Sequence, residues 1–180
     1  MLVTPTVRLT HTYPKHRKLD RKKIKRIVLH RIELGGGILD AVDAFLDCEP
    51  AELEAFRGMF PYHFGIDKDG SCYQLLPLSR AGVHAREWNS CSVAIACFGD
   101  FRREEPTKDQ WMACVNLCRS LEHVLLGAGI WGHDELKDGS SDPYKKCPGR
   151  YWPIPEFLGD VRHQPITGAD IVDFENAICL

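Results

Sequence analysis

Three residues of this 180-residue chain have the types and spacing from which a metal site could be built: His30, His133 and Cys147. Zinc sites that catalyse reactions commonly use three protein ligands, often His and Cys, and leave a fourth position for water. His30 ends a predicted strand at residues 25–30, and His133 ends a predicted last strand at residues 130–133. Where both strands end at one edge of a sheet, the loop thiolate of Cys147 can complete a three-ligand set.

Each of these residues also has a purely structural interpretation. A single histidine at a strand end commonly bonds a neighbouring group, and a single cysteine commonly packs as a small hydrophobic residue. No close pair of cysteines lies near His30 or His133 in the sequence, which disfavours a zinc finger. The spacing alone therefore leaves the metal site and the structural interpretation open.

Helical periodicity predicts part of the frame that must hold these residues. Residues 38–48 place apolar side chains at helical spacing, and Pro50 suits the first turn of a second, short helix at 50–59. Pro106-Thr107 opens a long helix that runs to Leu126. The apolar positions of this long helix form one stripe, made of Trp111, Cys114, Val115, Cys118, Leu121 and Val124.

The other apolar runs have the length of strands. Residues 62–67 and 71–76 flank Asp69-Gly70, a dipeptide typical of tight hairpin turns because glycine tolerates a positive φ. Residues 92–98 form a nearly continuous apolar run, which predicts a strand in the middle of a sheet. Strands mixed with helices, including a hairpin, predict a single α/β domain with a central mixed β-sheet flanked by helices.

The formal net charge is only −2, so no global field indicates binding to nucleic acid. Positive charge is nevertheless concentrated before the first main strand. There, Asp20 is the only acid among eight bases: Lys15, Arg17, Lys18, Arg21, Lys22, Lys23, Lys25 and Arg26. Such a run is typical either of an anion-binding arm or of a solvated lead-in to the strand. Most of the eight cysteines are scattered and are interpreted as reduced, buried residues, with Cys147 standing apart.

No apolar run approaches the roughly 20 residues that span a bilayer. Residues 1–13 also lack the charged start and the apolar stretch of a secretory signal, so we expect synthesis in the cytoplasm without a signal peptide. The sequence predicts a basic lead-in at residues 1–24, one globular domain at 25–165 and a tail at 166–180. The amphipathic pattern of the tail fits a terminal helix or a contact surface.

Five segments between Arg26 and Trp152 carry a resemblance to a known family, in matching order and spacing. They are IVLH ending at His30, YHFGIDKDG from Tyr62, GVHAREWNSCSVAIACFGDF from Gly82, GHDEL from Gly132 and SSDPYKKCPGRYW from Ser140. This stretch resembles the type 2 N-acetylmuramoyl-L-alanine amidases, a family that includes phage lysozyme-type amidases and peptidoglycan recognition proteins. The resemblance implies the amidase/peptidoglycan-recognition fold, one Zn²⁺ per chain, and peptidoglycan or a muropeptide as the substrate.

The resemblance also assigns roles to residues at the centre of the site. In the family, the positions that match His30, His133 and Cys147 bind zinc. Tyr62 matches a tyrosine near the metal, and Lys145 matches an active-site lysine two residues before the cysteine ligand. Attack on an amide develops negative charge on its oxygen, which a lysine ammonium can stabilise while a tyrosine orients water or substrate. The resemblance thus implies that Tyr62 and Lys145 are catalytic.

Substrate-binding roles are implied for His84 and Asn89, which match positions lining the family's substrate groove, and for Trp88 between them, where an aromatic residue is common in the family. An aromatic ring beside amide-binding side chains suits a substrate made of sugars and lactyl-peptides. A structural role for His84 is equally open, and His63 is expected to face the core or a backbone group. One position departs from the pattern: some family members carry a general-base glutamate where this chain has Ala96.

These implications predict a zinc-dependent amidase that cleaves the bond between the lactyl group of N-acetylmuramic acid and L-alanine, in the manner of a phage endolysin. Two alternatives keep this chemistry: a cytoplasmic amidase that recycles muropeptides, and a delivered antibacterial effector. A third is a non-catalytic peptidoglycan-binding module, which is disfavoured because such relatives typically lack the cysteine ligand. A monomer is favoured, and the oligomeric state is otherwise open.

Overall fold

The computed structural model describes residues 7–8, 16–33, 36–47, 60–136 and 146–163. Within them the chain forms one six-stranded sheet and three α-helices. The strands are β1 (Val7–Arg8), β2 (Arg26–Ile32), β3 (Phe64–Ile66), β4 (Cys72–Gln74), β5 (Ser92–Phe98) and β6 (Gly129–Gly132). The helices are α1 (Ile38–Asp47), α2 (Lys108–Val124) and α3 (Ile154–His163). The predicted α/β architecture is confirmed.

The sheet is mixed, with strand order β1-β4-β3-β5-β2-β6. Strands β3 and β4 are antiparallel, and every other neighbouring pair is parallel. Strand β5 lies between β3 and β2, and all but its last residue are buried. A strand covered on both faces has no polar side to present, so its continuous apolar sequence correctly predicted a central position.

The predicted hairpin is the antiparallel pair β3 and β4. Gly70 has a φ of 83°, the left-handed conformation that favours glycine, and the N–H of Asp67 donates to the carbonyl of Ser71 across the turn at 2.9 Å. The strands are shorter than predicted because the chain leaves the ladder after Gln74. The next two N–H groups, of Leu75 and Leu76, both donate to the carbonyl of His63.

Apolar side chains fill both faces of the sheet. On one face, Ile27 and Leu29 of β2 belong to the same core cluster as the buried stripe of α2 and the inner face of α3. On the other face, Ile32 of β2 packs in a second cluster with Ile38 and Val42 of α1. Alternate residues of β2 thus support opposite layers, and His30 belongs to the face that carries Ile32.

Part of the basic segment is folded onto this core. Leu19 and Ile24 are buried in the main cluster, and Asp20 caps a 3-10 turn by accepting from the N–H of Lys22. Residues 16–24 therefore contribute to the folded unit, while the boundaries at 24 and 165 stay predictions. The predicted helix at 50–59 and the tail at 166–180 lie outside the described residues. None of the helices in the described part of the chain is long and apolar enough to cross a membrane.

Candidate metal centre

Parallel register brings the two predicted histidine ligands together. Strands β2 and β6 are paired from Arg26 with Gly129 to Leu29 with Gly132. His30 and His133 each follow the last of these pairs, so they leave the same edge of the sheet side by side. Their ring centroids are 4.5 Å apart. The predicted meeting of the two histidines at one sheet edge is therefore what the structure shows.

The strand ends themselves differ slightly from the prediction. Strand β2 does not end at His30 but continues to Ile32, which pairs with Phe98 of β5. The polar residues His30 and Arg31 do not interrupt the strand, because the ladder with β5 satisfies its backbone on one side. Strand β6 ends at Gly132, and His133 begins a 3-10 turn.

Cys147 joins the two histidines from a loop that precedes α3. Its Sγ lies 3.7 Å from Nδ1 of His30, and one ligand atom from each of the three residues lies within 4.8 Å of the others. Typical Zn–N and Zn–S bond lengths place the ligand atoms of one tetrahedral ion about 3.3–3.6 Å apart. The loop is also tied to the histidine turn, since the N–H of Asp134 donates to the carbonyl of Cys147 at 2.8 Å. The donor set therefore fits one zinc ion after small side-chain adjustments.

The hydrogen bonds behind His30 set its proton position. The hydroxyl of Ser92 donates to the carbonyl of Trp88 at 2.7 Å, so its oxygen accepts from Nε2–H of His84 at 3.3 Å. Nδ1 of His84 is then a bare acceptor for Nε2–H of His30, at 3.0 Å. This arrangement leaves Nδ1 of His30 unprotonated, with its lone pair available to the Cys147 thiol or to a metal. A ligating histidine typically donates its other N–H in this way.

Burial favours the neutral forms of His30, His84 and the Cys147 thiol. It lowers the pKa values of His30 and His84 well below the usual range, and nearby histidine charges add to the effect. Both rings are therefore neutral at physiological pH, as metal ligation requires. Burial raises the pKa of the Cys147 thiol to about 11, against the opposing N–H and charge of Arg31. A metal held by this residue would take the place of the thiol proton.

Tyr62 lies beside the candidate ligands, with its ring centroid 5.2 Å from that of His30. Burial raises the pKa of its hydroxyl, and the nearby Cys147 raises it further. The hydroxyl therefore keeps its proton and can donate a hydrogen bond to a substrate oxygen or to water. Lys145, the other predicted catalytic residue, lies outside the described residues. The catalytic roles of both stay predictions.

The residues predicted to line the substrate groove lie on the loop between β4 and β5. Asn89 Oδ1 accepts from the N–H groups of His84 and Ala85, each at 2.9 Å, and so holds this loop in place. The ring of Trp88 is half-buried, and the Arg26 guanidinium carbon lies 3.8 Å from its centroid. Their substrate-binding roles stay predictions.

Two further positions from the sequence analysis, Ala96 and His63, can be compared with the structure. Ala96 of β5 is the register partner of His30 and is fully buried, so the position where some family members carry a glutamate adjoins a candidate ligand. His63 accepts from the N–H of Ala94 at 3.1 Å and donates from Nε2 to the carbonyl of Arg80 at 2.8 Å. The expectation that His63 faces backbone groups is confirmed.

Sequence reasoning missed Ser92 and Arg31, which contact the candidate ligands or their supports. Ser92 lies eight positions after His84, and the N–H of Arg31 lies 3.4 Å from Sγ of Cys147, 116 positions away. Neither a serine nor an arginine indicates such a contact by its residue type alone. Only the position of Arg31, directly after a candidate ligand, is a signal.

The family assignment follows from the comparison with known families. The sequence model of the N-acetylmuramoyl-L-alanine amidase family matches residues 20–150, most of the chain. The chain therefore belongs to this family. The matched range contains all three candidate ligands and the loop that supports His30.

Individual relatives share about 30% sequence identity with parts of this chain. Peptidoglycan-recognition protein LB of Drosophila melanogaster is 28% identical over 131 residues, which are 67% of this chain and 54% of that protein. Peptidoglycan-recognition protein SC2 of the same organism is 31% identical over 91 residues, which are 49% of this chain and 46% of that protein. The chain thus spans about half the length of the curated relatives it matches.

Solved structures share the fold. The N-acetylmuramoyl-L-alanine amidase LysC from Clostridium intestinale URNW has a TM-score of 0.69 at 23% identity, covering 88% of this chain and 98% of its own. The Ph2119 endolysin from the Thermus scotoductus MAT2119 bacteriophage has a TM-score of 0.64 at 22% identity, covering 81% and 89%. Both comparisons show the fold alone.

Proposed function

We propose that this protein is a zinc-dependent N-acetylmuramoyl-L-alanine amidase. It hydrolyses the amide bond between the lactyl group of N-acetylmuramic acid and the L-alanine of peptidoglycan. The observation that carries the proposal is the convergence of His30, His133 and Cys147, whose ligand atoms lie within 4.8 Å of one another. Membership of the amidase family supports the reaction, and the three-ligand set suits a catalytic rather than a purely structural zinc site.

Zinc bound here would activate water near neutral pH and polarise the amide carbonyl. The chain's own residues then have separate tasks. His84 holds His30 in the tautomer whose Nδ1 is free, through the 3.0 Å hydrogen bond. Tyr62 keeps its proton and can donate to the oxygen on which negative charge develops. Lys145 supplies a positive charge to the same oxygen.

Retention of the cysteine ligand favours an enzyme over a non-catalytic binding module. The two functions separate in one experiment on the purified protein. Zinc content is measured by elemental analysis, and cleavage of a small muramyl-peptide is followed by chromatography of the released peptide. An enzyme binds one zinc per chain, loses cleavage on chelation and regains it with added zinc. A protein that binds the muramyl-peptide without cleaving it, with zinc restored, would contradict the proposal.

We further propose the biological role of an endolysin-type lytic enzyme, made in the cytoplasm and acting on the bacterial wall. Similarity to a phage endolysin over 89% of that chain supports this role. The competing role is recycling of soluble wall fragments inside the cell. The two roles separate when turbidity loss of permeabilised Gram-negative cells is compared with turnover of soluble muropeptides. A lytic enzyme clears the cells, whereas a recycling enzyme cleaves only the fragments.

A further inference from the structure

Arg31 directly follows the candidate ligand His30 and reaches the loop of another ligand. Its Nη1 donates to the carbonyl of Lys146 and, at 3.1 Å, to that of Pro148. These two carbonyls flank Cys147 on both sides. One guanidinium group therefore holds the loop before and after the sulfur-bearing residue. Both bonds come from one nitrogen, while Nε of the same group is anchored by Glu33. A lysine side chain ends in a single nitrogen, so it has no second nitrogen to be anchored while the first one bonds the loop.

The backbone of Arg31 contacts the same residue. Strand β6 stops at Gly132, opposite Leu29, so the last three residues of β2, from His30 to Ile32, have no neighbour on this side. The N–H of Arg31 points instead to Sγ of Cys147, at 3.4 Å. An N–H donor stabilises a thiolate more than a thiol, because the acceptor then carries a full charge. Strand β2 thus supplies a histidine ligand and a donor for the cysteine ligand from adjacent residues.

The guanidinium is itself held in place. Nε of Arg31 forms an ion pair with Glu33 and lies 3.8 Å from Oδ1 of Asp100. Arg102 binds both of these carboxylates, each at 2.6 Å, and Arg103 lies 3.4 Å from Asp100, so three positive and two negative side chains form one network. The Arg31 side chain is only 9% exposed, whereas that of Arg103 on the same Asp100 is 84% exposed. Of these cations, Arg31 is the one shown to reach the loop.

The residues that follow Pro148 are closely packed. Gly149 has a φ of 138°, and a Cβ at this position would overlap the backbone of Phe101. The N–H of Tyr151 donates to the carbonyl of Phe101 at 2.8 Å. The chain is therefore fixed immediately after Pro148. Arg31 fixes it immediately before and after Cys147.

We propose that Arg31 is a positioning residue for the cysteine ligand, and that its clamp on the two flanking carbonyls governs how firmly the site retains zinc. The inference rests on the metal site proposed above and adds a residue to it. Without the clamp, the loop must be ordered when the metal binds, so affinity falls and release becomes faster. Supports of ligands typically contribute about 10–100-fold to metal affinity or activity.

The test compares three variants of the full chain: Arg31→Met, Arg31→Lys and the matched control Arg103→Met. Zinc affinity is measured by competition with a chromophoric chelator, and the release rate is measured after addition of excess chelator. We expect both Arg31 variants to bind zinc about 10–100-fold more weakly and to release it faster. Arg103→Met removes a cation from the same Asp100 without touching the loop, and should match the parent.

Two measurements separate positioning from folding. Thermal unfolding of the zinc-free proteins reports any loss of fold, and the absorption of the cobalt-substituted proteins reports thiolate ligation directly. A folded Arg31→Lys protein with a weakened thiolate–cobalt band supports the clamp. Where Arg31→Met does not fold, Arg31→Lys decides the question. Parent-like zinc retention in Arg31→Lys would overturn the inference, because charge alone would then suffice. A parent protein that binds no zinc would instead remove the proposed metal site itself.

Discussion

Nε2 of His30 lies 3.0 Å from Nδ1 of His84, and this contact joins a candidate metal ligand to a residue of the predicted substrate groove. The donor and acceptor roles along the hydrogen-bonded chain of Ser92, His84 and His30 place the ring proton of His30 on Nε2. Nδ1 of His30 is therefore available to a metal. The loop from Gly82 to Asn89 therefore has a second possible task besides binding substrate. It supports the buried candidate ligand His30 through the ring nitrogen that does not face Cys147.

His84→Asn and His84→Phe test this support. The asparagine Oδ1 falls near the position of Nδ1 and can still accept from His30, whereas phenylalanine fills the space without an acceptor. We expect His84→Phe to weaken zinc affinity by about 10–100-fold and His84→Asn to retain most of it. Chelator competition gives the affinities. Equal zinc affinity in both variants and the parent would mean that the contact does not orient His30.

Cys147→Ser should lose most of its zinc and nearly all amidase activity. A serine hydroxyl stays protonated near neutral pH and is a poor zinc ligand compared with a thiolate. Elemental analysis of the purified variant and cleavage of a soluble muramyl-peptide provide the measurements. Cys91→Ser is the matched control, since this half-buried cysteine lies outside the metal cluster in the described structure. Full zinc content in Cys147→Ser would remove this residue from the site.

Lys145→Ala should keep the metal but lose catalysis, on the order of 10²-fold or more if the ammonium stabilises the developing oxyanion. Lys146→Ala should lose much less, because its exposed side chain is not the one that matches the family lysine. Rates of muramyl-peptide cleavage and zinc content are measured on both variants. If the two variants behave alike, the assignment of the lysine by sequence register is wrong.

Local patterns were sufficient to predict much of the frame. The bounds predicted for β5 match the structure, and the predicted helix at 38–48 corresponds to α1 at Ile38–Asp47. A continuous apolar run and a helical period are properties of neighbouring residues, so the sequence displays them directly. The cluster of His30, His133 and Cys147 was predictable for another reason: these residues occupy matching positions in a family motif.

The supports of the ligands could not be predicted in the same way. His84 meets His30 across 54 positions, and Arg31 meets Pro148 across 117. Such contacts depend on strand register and on how loops fold back over the sheet, which no local period encodes. The extension of β2 to Ile32 was missed for a related reason. From the sequence alone, a charged residue after His30 indicates the end of the strand, because its partners in the loop of Cys147 are not visible there.

His63 should make the protein sensitive to acid. Burial lowers its pKa to about 4, from about 6.5 in an unfolded chain. Between these pH values the His63 ring is protonated in the unfolded chain but neutral in the native protein. The free energy of unfolding therefore falls as the pH drops from about 6.5 to 4. The shift corresponds to about 3 kcal/mol of unfolding free energy lost by pH 4.

His63→Asn keeps an acceptor for the N–H of Ala94 but cannot titrate in this range. We expect its stability at neutral pH to be lower, because the bond to Arg80 is lost, and its decline toward pH 4 to be shallower than that of the parent. Urea unfolding of the zinc-free proteins at several pH values measures both slopes. Parallel slopes would show that His63 does not carry this dependence.

The basic segment should assist action on whole walls through its charge. Leu19 and Ile24 are buried, so this part of the segment is anchored, while Arg17, Lys18 and Lys22 are exposed. Arg17 and Lys18 also line a surface cavity with Arg86, which belongs to the loop that carries His84. Bacterial walls carry anionic groups, and electrostatic attraction to them is screened over about 8 Å at physiological ionic strength. The segment's contribution should therefore appear at low salt and fade as salt is added.

Neutralising Arg17, Lys18, Arg21 and Lys22 with glutamine should thus slow clearing of permeabilised cells at low salt, while cleavage of a soluble muramyl-peptide stays nearly unchanged. The small substrate has too little charge to benefit from the segment, and the candidate ligands lie elsewhere in the fold. A matched control removes the same charge from exposed positions outside the segment: Arg103, Lys108, Arg150 and Arg162. Equal loss on both substrates would show that the four residues support the fold or the site. No loss on either substrate would show that the charge of the segment does not contribute, and would leave the segment a solvated surface.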